Sequence, residues 1–588
     1  MAKKAAADKP PKATEPKKPA EPEAVTITYD LFDLPTAQHK AGLAGLLLQL
    51  GHMAGKTPKP KAIPRVVART ATTATVELTK ESVQCLFDDA YAAEYAVVRV
   101  KSKWNAEEAK PSEEVLEEVE EKGPDGEAKK KTVKVRYYFY RQLQPSGGLL
   151  RQYITNAPAE WLKLWQAMLW AIPRGNPQSR KPFEEVADGK HCKEGADAWS
   201  DLLKVFKARA KNTFHTAEVA GSLWLGAQAV NAEGVPFEGR AEQTLLLHFW
   251  PLVAQVYVPQ VVQPDGTSEF VGYVLAIPEV SDLIGFMANY PQLLAGLSGE
   301  VRGYRPAEAV VDLPAEGALS FLQHLAQLSH DKATDADTQF DLAAVEYLHL
   351  AKIGNNIKTL AAGRVAPRPR LLAKYLGIVG KPGERPPYGN PLFRRGLMQA
   401  LLDDQPWYCP FGKLFAEWDV SFFVPTDSPP KLSWFWADAQ KKLHEVTQAM
   451  PTDPPPNEPL SDDDILATTV NRLVRRYLDF RLNKEHPDWD FPAFRTSRST
   501  PPEAADARRK LAERLFLELR SRRDRAFVDH FTNTFFSVGQ YLAQKPVAKM
   551  FERVAAALFG RSNDVKTLTL MALSANSYVP AKKKETPK

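Results

Sequence analysis

Apolar residues along this chain change their spacing several times, and each change predicts a different element. After Thr36, a good N-cap residue, Leu43, Leu46, Leu47 and Leu50 recur at three and four residues and predict a helix from about Ala37 to Leu50. Gly42 and Gly45 flank that apolar face; glycine weakens a helix, so the pair predicts close approach by another backbone rather than a ligand site. Arg65–Leu78, Tyr95–Lys103 and Lys131–Leu143 are rich in β-branched and aromatic residues and read as strands. An acidic run followed by Lys129, Lys130 and Lys131 predicts a solvated, mobile hairpin extension between the last two. Trp161, Leu164, Trp165, Met168 and Leu169 return to helical spacing as a core stripe.

From Ala254 to Val262 polar and apolar residues partly alternate, Pro264-Asp265-Gly266 supplies a turn, and Glu269–Ile277 comes back as a second strand, so a hairpin is expected. The stretch Lys204–Val280 joins this hairpin to a dense run of cations, and the rest of the chain is expected to be organised around it. Ser281–Leu350 reads as mostly helical with an interruption near residues 299–314, and Phe411–Trp436 as aromatic core. Met450–Leu460 (MPTDPPPNEPL) has the composition of an extended linker. Ser461 then caps a helix whose first turn holds Asp462, Asp463 and Asp464, where the helix dipole favours acids; capping accounts for these aspartates better than a metal does. Leu466, Val470, Leu473, Val474 and Tyr477 form one apolar stripe and Leu511, Leu515 and Leu519 another.

The fold class expected is α+β. A tail (residues 1–24) precedes a large mixed region with antiparallel hairpins and helices (25–449), then come the linker (450–460), an all-α C-terminal bundle (461–577) and a second tail (578–588). At 588 residues the chain exceeds what one hydrophobic core serves. Its net charge is a modest +6, so distribution matters more than total. Cys85, Cys192 and Cys409 are far apart and show neither metal-ligand nor disulfide spacing, which fits a reducing cytoplasm. The N-terminal residues lack the apolar core of a secretory signal, and the apolar run Leu245–Val258 is too interrupted to span a bilayer. No membrane contact is expected.

Basic residues concentrate in four places. Lys204, Lys207, Arg209 and Lys211 lie within two turns of a predicted helix that ends at Asn212-Thr213, with no acid before Glu218. Arg174, Gln178, Arg180 and Lys181 fall in RGNPQSRKPF, read as a loop, and arginine and glutamine are the side chains that read guanine and adenine edges bidentately. Gln228 and Asn231 are weaker candidates in a later turn. A second basic region gathers Lys352, Lys358, Arg364, Arg368, Arg370 and Lys374 around Asn355 and Asn356, and turn chemistry explains those asparagines as well as base contact does. In the C-terminal helices Arg472, Arg475, Arg476, Arg481, Arg508, Arg509, Arg520, Arg522, Arg523 and Arg525 are assigned to the face opposite the apolar stripes. Their planar forks suit phosphate, with acidic partner proteins as the competing reading.

Catalytic signatures are lacking. Gly51–Thr57 departs from a phosphate-binding loop because its glycines are one residue too close and Pro58 and Pro60 follow. His330-Asp331, with His324 nearby, offers too few ligands for a metal nuclease, and HExxH, GxSxG and GxGxxG do not occur. No catalytic residue, metal or cofactor is expected. A recognition subunit is favoured over two alternatives, a nucleic-acid-cleaving enzyme with a dispersed metal site and a protein-only scaffold.

Three collinear stretches carry a resemblance: YDLFDLPTAQHKAGLAGLLLQL (Tyr29–Leu50), MLWAIPRGNPQSRKPFEE (Met168–Glu185), and the run Gly221–Leu283 that includes GSLWLGAQAVNAEGVPFEGRAEQTLLLHFWPLVAQVYVPQVV. Together they resemble the large subunit of type I CRISPR surveillance complexes (Cascade), within the type I-MYXAN branch allied to type I-B. The resemblance implies a non-catalytic subunit at the crRNA 5′ end that reads the protospacer-adjacent motif on target double-stranded DNA, helps open it and steadies the displaced strand. It also implies Cascade backbone and crRNA-processing subunits as partners, and a downstream helicase-nuclease or transposition machinery. In some related systems a small subunit arises by internal translation, and a start near Met450 is expected to release the helical region intact. No invariant family motif maps onto individual contacts, so the residue assignments rest on the chemistry above.

Overall fold

A computed structural model of the chain describes residues 22–55, 65–101, 110–122, 128–146, 148–154, 161, 164–165, 168, 177–219, 223–225, 235, 237–297, 301–302, 305–330, 341–354, 356–381, 384–426, 432, 434–448, 461–489, 500–538 and 545–578. The fold is α+β, with antiparallel sheets in the N-terminal half and helices in the C-terminal region. The chain divides into two compact units that exchange segments: residues 1–153, 165–253 and 280–288 form the first, and 154–164, 254–279 and 289–588 the second.

The first unit is built on the helix Ala37–Ala54, capped by the Thr36 hydroxyl, which accepts from the His39 N–H. Nearly every face of this helix is buried, as expected when an apolar helix runs through a core. It can approach its neighbours closely because two glycines face backbone. A Cβ on Gly42 would lie 2.2 Å from the Leu246 carbonyl oxygen, and one on Gly45 the same distance from that of Phe249. The expectation of backbone-to-backbone contact is thus met, and the partner is the segment from Ala241–Leu246 to the short turn Trp250–Leu252.

Strands Ala24–Asp30 and Arg65–Arg69 flank Thr73–Thr79 in an antiparallel sheet, and buried and exposed positions alternate along the central strand. A second antiparallel sheet orders Ala93–Val100, Ala128–Pro145 and Lys110–Lys122. In its long hairpin Glu120 stands opposite Lys130 and Glu121 opposite Lys129, so the acidic and basic runs are cross-strand partners.

The second unit contains the predicted hairpin. Gln255–Val262 pairs antiparallel with both Ser268–Phe270 and Tyr273–Val280, the register shifting by one residue between them. Gly272 sits at that shift with a φ of 63°, and a Cβ there would meet the Leu350 carbonyl at 2.1 Å, so only glycine fits. The sheet continues through Leu342–Ile353 and Asn356–Val365. Here the mostly helical expectation for residues 281–350 needs correction: Leu342–Ile353 is a strand. Its Leu, Ala and Glu content favours a helix, but pairing with two neighbouring strands overrides that weak preference.

Beyond the sheet, helix Ser562–Asn576 is the hub of an all-α region, packing on Phe411–Glu417, Phe435–Gln448, Asp462–Glu485, Pro502–Arg520, Asp524–Phe535 and Lys545–Gly560. Two of these six precede the proline-rich stretch 450–460, which itself lies outside the described residues. Ser461 caps Asp462–Glu485 as expected, accepting from the Asp464 N–H, and the adjacent acids do further work: Asp462 pairs with Arg553 at 2.9 Å and Asp463 with Arg561.

Inside this region Arg508 is 1 % exposed. Its guanidinium donates to Asp479 at 2.8 Å and to the Asn576 carbonyl at 2.7 Å. The assignment of Arg508 to a solvent face is therefore corrected. With Ala504, Leu511, Leu515 and Leu519 it occupies the apolar stripe itself, and the cation is neutralised there by a buried carboxylate.

Two outcomes are expected. Gly45→Ala should lower the thermal midpoint of the full chain, because overpacking costs about 1–3 kcal/mol, more than the helix-propensity gain of about 1 kcal/mol; Gly51→Ala, which meets open space, should raise it. Arg508→Ala should destabilise by about 3–5 kcal/mol by stranding Asp479, while an apolar pair such as Arg508→Met with Asp479→Leu should recover most of the loss in chemical denaturation.

Candidate nucleic-acid interface

The basic helix spans Lys193–Ala210 and buries Trp199, Leu202, Leu203 and Val205, so its lysines and Arg209 are left outside. It belongs to the first unit and packs on Lys80–Ala90 and Ala241–Leu246, whereas the hairpin expected to share its site lies almost wholly in the second. Its C-terminus is a Schellman closure. The Thr213 N–H reaches the Ala208 carbonyl at 2.9 Å, the Asn212 N–H reaches that of Arg209 at 3.0 Å, and Asn212 is left-handed with a φ of 55°. Asn212 thus terminates the helix by geometry and leaves its side chain exposed.

The cations of this helix differ in their engagement. Lys204 is paired with Asp201 at 2.9 Å and Arg209 with Glu242 at 3.8 Å. Lys207 and Lys211 are exposed and have no ion-pair partner among the described residues. The chain then turns into Phe214, 73 % exposed, with the Arg240 guanidinium 4.5 Å from the centre of its ring. The ribbon Thr216–Glu218 and Glu238–Arg240 sets that stack, since Thr216 is the register partner of Arg240. Neither Phe214 nor Arg240 was singled out from the sequence; the available signal was an aromatic residue directly after a basic helix.

Arg180 and Lys181 stand on helix Pro177–Ala187, which corrects the loop reading of that part of RGNPQSRKPF. They form spacings of four with Glu184 (3.4 Å) and Glu185 (3.8 Å), and both remain exposed. Glu185 also accepts from the Lys193 N–H at 2.8 Å, tying this helix to the start of the basic one. At 1.5 Å per residue, Lys193 and Lys211 are about 27 Å apart, so the Arg180 and Lys211 patches sit toward opposite ends of one helix. Arg174, Gln228 and Asn231 lie outside the described residues, as does the side chain of Gln178.

In the second unit, Lys352 and Lys358 are exposed near the tip of the hairpin Leu342–Ile353/Asn356–Val365, whose turn is made by Gly354 with a φ of 63°. Ile353, Ile357 and Leu360 are exposed beside them, which makes the tip a mixed apolar and basic surface. Arg364 is engaged by Glu279 through two bonds of 2.7 and 2.9 Å, while Arg368 and Arg370 are exposed. Asn355 and the side chain of Asn356 lie outside the described residues.

The C-terminal arginines do not form one face. Besides the buried Arg508, Arg509 is held by Asp506 at 2.6 Å and by Glu513 at 3.7 Å, and Arg520 donates to the Ala416 carbonyl at 2.8 Å. Arg522 is half-buried; Arg523 and Arg525 are exposed, the latter 3.9 Å from Asp529. Arg472 and Arg475 border a cleft of about 540 Å³ together with Lys441, His444, Asn471 and Asn576, and Arg476 is exposed on the same helix. Lys441 and His444 come from Phe435–Gln448, before the proline-rich stretch.

Among the described residues no three His, Cys, Asp or Glu side chains come together as a metal site. Burial pulls the imidazole of His324 below its ordinary range, and Asp331 lies outside the described residues.

No curated protein matches the chain. Residues 63–335 match the type I-B CRISPR Cas8b N-terminal domain, and residues 342–576 match the type I-B CRISPR Cas8b C-terminal domain. These matches cover most of the described fold, the basic helix and the arginine-bearing helices included, and the chain belongs to the Cas8b family of type I-B CRISPR large subunits.

Proposed function

We propose that this large subunit reads the protospacer-adjacent motif on duplex DNA through the C-terminal end of its basic helix and leaves bond cleavage to another molecule. The observation that carries the reading is the conjunction at that end: Lys207 and Lys211 exposed without ion-pair partners among the described residues, followed by Phe214 with one face against Arg240. Lysines there are suited to backbone phosphates, which position the duplex without reading its sequence. An exposed ring backed by a cation is suited to stacking on a base once the duplex starts to open.

Arg180 and Lys181, on the helix tied to the start of the basic one, supply a second contact together with Gln178. Guide crRNA then reads sequence by base pairing. Exchanging a DNA duplex for an RNA–DNA hybrid is nearly balanced in energy, so backbone contacts from Arg472, Arg475, Arg476, Arg523 and Arg525 are enough to favour the opened state. The Cascade backbone and processing subunits hold the crRNA, the assembled complex works in the cytoplasm, and a helicase-nuclease or transposition machinery acts downstream.

The structure bears on an internal translation start near Met450. A product beginning there lacks Phe411–Glu417 and Phe435–Gln448, which cover the hub helix, and lacks Lys441 and His444 from the basic cleft. Such a small subunit would expose apolar surface and need a neighbouring subunit to cover it.

In the assembled complex, Lys207→Ala with Lys211→Ala should weaken duplex binding and reduce the salt dependence of log K by about 2 with motif preference unchanged. Phe214→Ala should cost about 1–3 kcal/mol in binding opened target and little in binding closed duplex. Asn212→Gly keeps the left-handed geometry, so an accompanying loss of motif discrimination assigns a base contact to the amide. Full retention of affinity, salt slope and preference in all of these variants would overturn the reading. Intact-mass analysis of the purified complex should show a second species starting near Met450; the same fragment expressed alone should bind a hydrophobic dye, and the full chain should not.

A further inference from the structure

A cavity of about 470 Å³ lies in the second unit, between the start of helix Pro314–His330, helix Pro369–Val379 and the turn that enters Pro391–Leu402. Its volume falls in the range of small-molecule sites. None of its residues belongs to the interface described above.

The base of the cavity is held rigid. Arg394 donates to Asp312 at 2.6 Å and to the Tyr388 carbonyl at 3.1 Å, and all but a few per cent of its surface is buried. Glu316 accepts the N–H groups of Asp312 and Leu313 at 2.5 and 3.3 Å. Burial, reinforced by the neighbouring Asp312, pushes the Glu316 carboxyl well above the usual carboxylate range. The groups at the floor are thus paired among themselves.

Gln323 is the exception. It lines the same cavity, is 8 % exposed, and its buried Oε1 meets no donor. An unsatisfied buried acceptor is destabilising, and a ligand that brings an N–H would satisfy it. Around it the walls mix apolar side chains, Val310, Val311, Leu376 and Val379, with the polar Ser320, His324 and Tyr375. At the rim two exposed cations, Lys381 and Arg385, stand with one exposed carboxylate, Glu384, so the mouth carries a net positive charge.

Partly apolar walls, an inner amide and a net positive mouth match a nucleotide entering base first. A glutamine amide offers an acceptor and a donor side by side, which complements the amino-bearing edge of adenine. We propose that this cavity binds a single unpaired adenine nucleotide, with Gln323 on the base and Lys381 and Arg385 on the phosphate. The chemistry is shared by a guide RNA nucleotide and one from an opened DNA strand; that the nucleotide comes from either rests on the function proposed above, but the cavity's occupancy does not.

Calorimetric titration of the full chain with AMP, dAMP, adenosine and UMP tests this. AMP should bind at least ten-fold more tightly than UMP. Gln323→Leu should weaken AMP at least ten-fold without lowering the thermal midpoint, since the amide it removes already lacks a donor. Lys381→Ala with Arg385→Ala should weaken AMP several-fold and leave adenosine unchanged, a split that general loss of structure would not produce. Tighter AMP than dAMP would place the source in RNA and the reverse in DNA, both upholding the site. No AMP binding at millimolar concentration, or equal binding in Gln323→Leu, would overturn it and leave the cavity to water. The AMP titration reads the chain alone and the motif variants are read in the assembled complex, so failure here is distinguishable from failure of motif reading.

Discussion

Backbone-to-backbone contact at Gly42 and Gly45 is the constraint on which the first unit depends. Because neither residue has a Cβ, the buried helix Ala37–Ala54 can touch the carbonyls of Leu246 and Phe249 directly. That contact locates the segment 241–252, and with it the groups that shape the interface. Glu242 on this segment pairs with Arg209 and accepts the Tyr29 hydroxyl through its carbonyl at 2.9 Å, while Arg240, immediately before it, covers one face of Phe214. The cationic end of the basic helix is thus positioned from the core outward through rigid packing, which a recognition surface needs if its contacts are to hold a fixed geometry.

Charge in this chain serves two ends that its composition does not separate. Some arginines are structural: Arg508 completes a buried pair with Asp479, Arg394 one with Asp312, and Arg561 joins Asp463 to Asp564. A buried guanidinium without a carboxylate would carry a heavy desolvation penalty, so Arg508 and Arg394 are each matched within hydrogen-bond distance, whereas Arg561 makes its pairs at the surface. Others, such as Lys207, Lys211, Arg368 and Arg523, project into solvent, where phosphate can compete for them. Only this second group is free to meet a phosphate, and the first explains how a bundle can enclose arginines and still fold.

The hub helix Ser562–Asn576 draws partners from both sides of the proline-rich stretch. A break in composition marks where a chain can extend, yet a helix with an apolar surface on several faces recruits whatever covers it, regardless of covalent order. The cleft bordered by Lys441, His444, Arg472 and Arg475 follows from that recruitment, since Lys441 and His444 come from before the stretch and the two arginines from after it.

Local physics was legible in the sequence. Thr36 and Ser461 cap the helices they were expected to cap, the hairpin around Pro264-Asp265-Gly266 forms, the glycine pair meets a backbone, and Asn212-Thr213 stops the basic helix; each depends on a few adjacent residues. What escaped depends on neighbours far along the chain. Leu342–Ile353 became a strand because two strands flank it, Arg508 went inside because Asp479 on another helix awaited it, and Phe214 met Arg240 through a ribbon closed over 24 residues. Spacing within a segment sets which face is apolar, but only packing determines which charged side chains that face encloses and which it leaves for a partner.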